Sequence, residues 1–130
     1  MTRFKALSEM TYSMTRIVIG FLFSLHGIEK IFGVMSRDEP AELFSLIGVA
    51  GVIELVAGGL VFVGLYTPWA AFVASGQMAF AYFLAHHPRG GWPIENDGER
   101  AVLYCFVFLY LATRESGPIS LDRLIEGRRP

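Results

Sequence analysis

Glu54 is the residue most out of place in this chain. It is the only charge in Leu43–Leu65, a run of 23 residues. At about 1.5 Å per residue such a run is long enough to cross a hydrocarbon core of roughly 30 Å. A carboxylate at that depth costs at least ~2.5 kcal/mol on insertion scales, so the chain needs a partner or a use for it. Two kinds of chemistry suit it: proton exchange with a bound ligand, or a hydrogen-bonded latch between helices.

A small set of other side chains could share that chemistry. His26 is a second candidate proton carrier, so Glu54 and His26 form the candidate catalytic pair. Lys30, Gln77, Asn96, Glu99, Arg100 and Tyr104 are the candidate ligand-binding residues, because their amide, phenol and charged groups can fix a polar head. Each also has a plain structural reading. Glu54 can be a latch and His26 a satisfied core histidine. Lys30 and Glu29 can mark a helix end by snorkelling, and Gln77 can be interhelical glue. Asn96 or Asp97 can cap the helix that begins near Glu99.

Metal chemistry is not expected. His26, His86, His87, Glu29 and Glu54 include acceptable ligands, but no tight motif joins them. His86 and His87 are adjacent, hence about 100° apart on a helix. His26 and His86 are offset by a turn or more in depth, which does not suit a bis-histidine haem.

The elements that must position these groups read as an all-α, four-transmembrane-helix up-down bundle. The chain forms a single membrane domain over residues 1–130, with spans near 12–32, 43–65, 69–87 and 99–113. Residues 1–11 read as an interfacial lead-in. The nine apolar residues from Ile17 to Leu25 could pass for a secretory signal, but no small-x-small cleavage site follows, so a retained first helix is expected. Pro40 is placed to begin the second helix, Tyr66-Thr67-Pro68 makes a tight turn, and His87–Gly98 is a Gly- and Pro-rich loop. The apolar part of the fourth span, Ala101–Thr113, has only 13 residues, so its ends must carry polar groups into the headgroup layer. Residues 120–127 read as a short amphipathic interfacial helix with Ser120 as N-cap.

Counted from the helix ends, Glu54, Gln77 and Tyr104 fall near one depth on three different helices. His26 lies about a turn further out, and Lys30, Glu29, His86, Asn96, Glu99 and Arg100 form an outer polar layer. The faces agree. Arg16, Gly20, Phe23, Gly27 and Lys30 follow 4-3-4-3 spacing, Gly51, Glu54 and Gly58 follow it on the second helix, and Ala70, Ala74, Gln77 and Ala81 line a small-residue seam. A polar pocket inside a bundle is the expectation.

Composition excludes other classes. The chain of 130 residues is 53% hydrophobic, with 14 Gly, 11 Phe and a mean hydropathy of +0.46. A net charge of −1 with no basic stripe gives nucleic acid no footprint. Cys105, the single cysteine, cannot form an internal disulfide and lies in an apolar run as a packing residue. Seven of the 11 basic residues fall in the segments flanking the two termini, against four near the other two loops. That bias puts both termini in the cytoplasm of a multi-pass plasma-membrane protein.

These residues resemble the DoxX family of small bacterial membrane proteins. The likeness rests on four blocks in order: Arg16, Gly20, Phe23, His26-Gly27 and Lys30; the Gly51-x-x-Glu54-x-x-x-Gly58-Gly59 pattern ending in Gly64 and Thr67; Asn96-x-x-Glu99-x-Ala101 with Tyr104; and a Gly117-x-x-Ser120-Leu121-Asp122 close. It covers about residues 12–124. The chain departs from the pattern at Arg114-Glu115-Ser116, where relatives are smaller and more apolar. The resemblance implies four helices in the plasma membrane. For some relatives it also implies a place in thiosulfate:quinone oxidoreductase or in other membrane redox complexes. Two functions follow as expectations. One is a quinone-linked redox subunit or accessory component, with a redox protein partner and quinone as ligand. The other is a non-enzymatic oligomeric scaffold or small-solute pathway, with Glu54 as latch.

Overall fold

A computed structural model describes residues 2–127, all helix and connection, with no strand among the described residues. The first helix, α1 (Thr2–Phe32), is 31 residues long. Its partner α2 (Leu46–Val63) has 18. Gly20 and Gly27 decide how closely the two pack. A Cβ at Gly27 would lie 2.4 Å from the Leu55 amide nitrogen, and one at Gly20 would lie 2.4 Å from that of Phe62. Gly58 answers from the other side, where a Cβ would come within 2.7 Å of the Ser24 nitrogen. Backbones meet across this antiparallel seam, so nothing larger than hydrogen fits at these three positions.

The loop after α1 differs from the expectation that Pro40 begins α2. Gly33, at a φ of 61°, turns the chain, and Pro40 packs against it. The Ala41 amide donates to the Lys30 carbonyl at 2.8 Å, which ties the loop down. The cap of α2 is Ser45, whose Oγ accepts from the Gly48 amide at 3.0 Å. The helix therefore starts at Leu46 rather than Leu43. The supposed lead-in at the N-terminus is helical from Thr2, and within it Glu9 pairs with Arg114 just beyond α4 at 2.7 Å.

At its far end α2 closes on Gly64 (φ 73°), with the amides of Gly64 and Leu65 both donating to the Leu60 carbonyl at 2.9 Å. Tyr66, also left-handed at φ 50°, leads directly into α3 (Thr67–Ala81), two residues earlier than the sequence suggests because Pro68 sits in the first helical turn. A π turn, Tyr82–His86, and a 3-10 turn, His87–Arg89, carry α3 onward. The last long helix, α4 (Glu99–Ala112), begins at Gly98 with no side-chain cap. Neither Asn96 nor Asp97 caps it. Gly98 is required there because a Cβ would stand 2.5 Å from the Tyr82 ring.

Small residues also set the α3–α4 contact, where Ala70, Ala71, Ala74 and Ser75 lie buried against Ala101, Phe108 and Leu111. The Ser75 hydroxyl donates to the Cys105 carbonyl at 2.8 Å. The helix faces α1 and α4 meet through aromatics: Phe23 is buried with its ring 5.5 Å from that of Tyr104 and 4.6 Å from that of Phe108. That spacing is within the range of attractive edge and offset ring contacts.

The closing helix, α5 (Leu121–Glu126), is capped by Ser120 and docks on the α2–α3 turn. The Asp122 amide donates to the Gly64 carbonyl at 3.0 Å, and the Asp122 carboxylate accepts from the Tyr66 amide at 2.9 Å and the Ser116 hydroxyl at 2.5 Å. Beneath this junction lies Arg16, 0% exposed. It donates to the carbonyls of Val61 at 2.5 Å and Phe62 at 2.8 Å, and also to that of Ile119. A guanidinium here adds a donor to the last carbonyls at the negative end of α2, where that of Val61 otherwise has only the Gly64 amide at 3.2 Å. Arg16 belongs to the helix seam the spacing suggested, but its tie to the tail was not foreseen.

Candidate functional site

Three helices converge on Glu54. Its side chain, only 2% exposed, projects from the middle of α2 toward α1 and α3. Lys30, in the last turn of α1, donates to both carboxylate oxygens at 2.6 and 2.8 Å. Gln77 of α3 donates from Nε2 to the nearer oxygen at 2.9 Å and to the Ala50 carbonyl at 3.4 Å. The Gln77 Oε1 is buried without a partner. A carboxylate desolvated this far is held by a cation and an amide, the compensation that burial of charge demands.

Lys30 is therefore not part of an outer layer. With Gly27 laid on Leu55, its side chain reaches inward over Gly51, where a Cβ would meet the Lys30 Cβ at 2.9 Å. The register of the glycine seam puts the ammonium on the carboxylate.

The cluster forms the floor of a cavity of about 560 Å³, within the range usual for small-molecule sites. His26, Arg100 and Tyr104 line it as well. The rings of His26 and Tyr104 meet edge to face at 6.1 Å. His26 is half-buried, with Nδ1 3.8 Å from Glu29, a contact that is ionic only when the ring is protonated. Of the sequence candidates, Glu54, His26, Lys30, Gln77, Arg100 and Tyr104 face this one space.

Asn96 and Glu99 do not. Asn96 is 1% exposed, but it pins its own loop: Nδ2 donates to the Gly90 carbonyl at 2.9 Å and the Tyr82 hydroxyl at 3.3 Å, while Oδ1 accepts from the Gly98 amide at 2.9 Å. Its carbonyl lies 3.1 Å from Nδ1 of His86, at the end of the π turn. Glu99 is exposed on the first turn of α4, where an acid suits the helix dipole. Two further lining residues are Arg37, which the sequence did not single out, and Asp97, which it offered only as a helix cap. Both sit in polar loops whose charges look like ordinary solvated ones, and nothing in their spacing marks them. No three His, Cys, Asp or Glu side chains gather as a metal set among the described residues.

Comparison with known proteins places the chain. The family model described as DoxX matches residues 12–87, which include Lys30, Glu54 and Gln77. The chain belongs to the DoxX family. An uncharacterized protein of Haemophilus influenzae is 41% identical over 113 residues, covering 82% of this chain and 84% of that protein. No solved structure gives a significant match. DoxX membership makes this a small membrane protein. Among the described residues α2 is the one helix long and apolar enough, by length and composition, to cross a bilayer. Only 33% of that stretch is buried within the fold, whereas the core helix of a water-soluble protein would be mostly covered.

Proposed function

We propose that this DoxX protein crosses the plasma membrane four times through α1–α4, with both termini cytoplasmic, as a single membrane domain. In this reading it acts as a quinone-linked redox component whose ligand site is the cavity above Glu54. The outward faces support four crossings. Phe21 and Leu22 of α1, Phe72 and Val73 of α3, and Leu103 and Phe106 of α4 are all exposed large apolar residues, a surface suited to lipid rather than water. The 14 residues of α4 make the shortest crossing, with Glu99, Arg100 and Arg114 at headgroup level.

The observation that carries the ligand reading is the Lys30–Glu54–Gln77 cluster at the base of a largely apolar cavity. A quinone, when bound, supplies two carbonyl acceptors and takes up two electrons with two protons. The residues present fit those demands. Lys30 uses two of its three N–H donors on Glu54, and the third is left for a ligand oxygen. Tyr104 and Arg100 add donors from the α4 side. Glu54 and His26 are the groups able to hold and pass a proton at the head. Electrons come from a redox protein partner or a diffusible donor.

The test is direct. Protein purified from native membranes is extracted and its lipids and quinones are quantified by mass spectrometry. Near-stoichiometric quinone is expected, lost in Glu54→Gln and His26→Ala while helical content is kept. Recovery of phospholipid alone overturns the reading. A second reading is favoured by the ties on the carboxylate, which join α1, α2 and α3: Glu54 as the latch of an oligomeric scaffold or solute pathway. In that case Glu54→Gln lowers the melting temperature with no change in bound ligand, and proteoliposome flux separates pathway from scaffold.

A further inference from the structure

The cavity has two kinds of edge. On one side its mouth carries Arg37, His86, Asp97 and Arg100, groups that belong in water or among headgroups. On another, its wall is made by Leu46 and Ile47 of α2, Phe80 of α3 and Leu84 of the π turn that follows it. These four line the cavity, yet they are exposed rather than core: Leu46 72%, Ile47 49%, Phe80 60% and Leu84 51%. Lining residues that also lie on the outer surface are what a cavity opening sideways between the two helices would show.

The backbone explains the opening. α2 and α3 are held together at one end by the three-residue turn Gly64–Tyr66. The bonds from Gln77 to Glu54 and to the Ala50 carbonyl tie them again. Leu46, Ile47, Phe80 and Leu84 lie beyond that tie, away from the turn. A π turn, Tyr82–His86, a feature often found at functional sites, follows α3 beside the gap. Small side chains at Ala50, Ala81 and Ala85 leave the passage from gap to floor unfilled.

We infer that the gap between Ile47 and Phe80 is a lateral portal through which the ligand enters from the bilayer interior. The ligand class follows from the two ends of the path. The floor offers donors at Lys30 and Tyr104, so the head carries acceptor oxygens. The portal is hydrocarbon, so the rest is an apolar tail that stays in the lipid. This inference rests on the membrane and cavity reading given above, and it adds the route and the amphiphilic form of the ligand.

Cysteine accessibility tests it. Ala81→Cys and, separately, Ala50→Cys are made in a Cys105→Ser background and reconstituted in lipid vesicles. Each is reacted with uncharged N-phenylmaleimide and with a sulfonated, membrane-impermeant maleimide, the rates being normalised to Asp38→Cys on the polar loop. The expected result is a normalised rate at least tenfold higher for the uncharged reagent at both cavity positions. Adding Ile47→Trp should slow that reagent several-fold there and leave position 38 unchanged. Equal or reversed normalised rates, or no effect of Ile47→Trp, overturn the portal. Addition of a fully ring-substituted short-chain quinone, which does not itself add thiols, separates the two readings. Protection supports both. Fast entry of the uncharged reagent without protection keeps the portal and removes the quinone.

Discussion

Lys30 of α1 grips both oxygens of Glu54 on α2, at 2.6 and 2.8 Å, across a sequence separation of 24 residues. Removing one partner of a buried pair leaves the other charge uncompensated, which costs about 3–5 kcal/mol. Glu54→Gln and Lys30→Met should each lower thermal stability in detergent by that order. The double variant Lys30→Met/Glu54→Gln should recover much of the loss. Additive losses in this cycle, read from melting curves, would show that the two groups do not act as a pair.

The α1–α2 seam gives a contrast between neighbours. A Cβ at Gly58 would approach the Ser24 backbone within 2.7 Å, while one at Gly59 meets nothing within 4 Å. Gly58→Ala should therefore destabilise by about 1–3 kcal/mol, since backbone must move. Gly59→Ala should be neutral or stabilising by up to about 1 kcal/mol from helix propensity. Parallel melts of the two variants check this, and equal effects would contradict the seam.

Arg16 holds α5 and the approach to it against the end of α2. Arg16→Met strands the carbonyls of Phe62 and Ile119, at about 1–3 kcal/mol for each buried group left unpaired, and leaves that of Val61 only the Gly64 amide at 3.2 Å. The tail should then loosen, so trypsin should cut after Arg114 and Arg123 several times faster than in the parent. Asp122→Ala, which removes the acceptor for Tyr66 and Ser116, should produce the same pattern. Unchanged cleavage in both variants would separate these bonds from tail docking.

Asn96 is the pin of the loop between α3 and α4. Its side chain makes three hydrogen bonds at 1% exposure, so Asn96→Ala should free the loop and speed trypsin cleavage after Arg89. Because Asn96 does not line the cavity, bound ligand should fall less than in Glu54→Gln. A loss of ligand equal to that variant's would return Asn96 to the site.

Much of the helix packing could be read from spacing, because Gly20, Gly27, Gly51 and Gly58 mark a close seam whatever its partner. The ends of helices could not. Ser45, not Pro40, caps α2, and both residues carry valid start signals, so only the packing of Pro40 on Gly33 decides between them. Lys30 was misplaced in depth because counting from helix ends ignores the interhelical register and the reach of a long side chain. Asn96 misled for a related reason: a buried amide satisfied by its own loop has the same composition signal as one offered to a ligand. The role of Arg16 was invisible, since its acceptors are main-chain carbonyls, which every residue possesses.

The Arg16 junction also bears on how the protein is made. Arg16 sits in the first helix to be synthesised, and one of its acceptors, Ile119, follows 103 residues later. During translation the guanidinium must wait, without its full complement of bonds, until nearly all the other helices have emerged. Assembly at that end is thus completed by the last contact made, so a truncated nascent product would expose an unsatisfied cation that quality-control proteases could recognise.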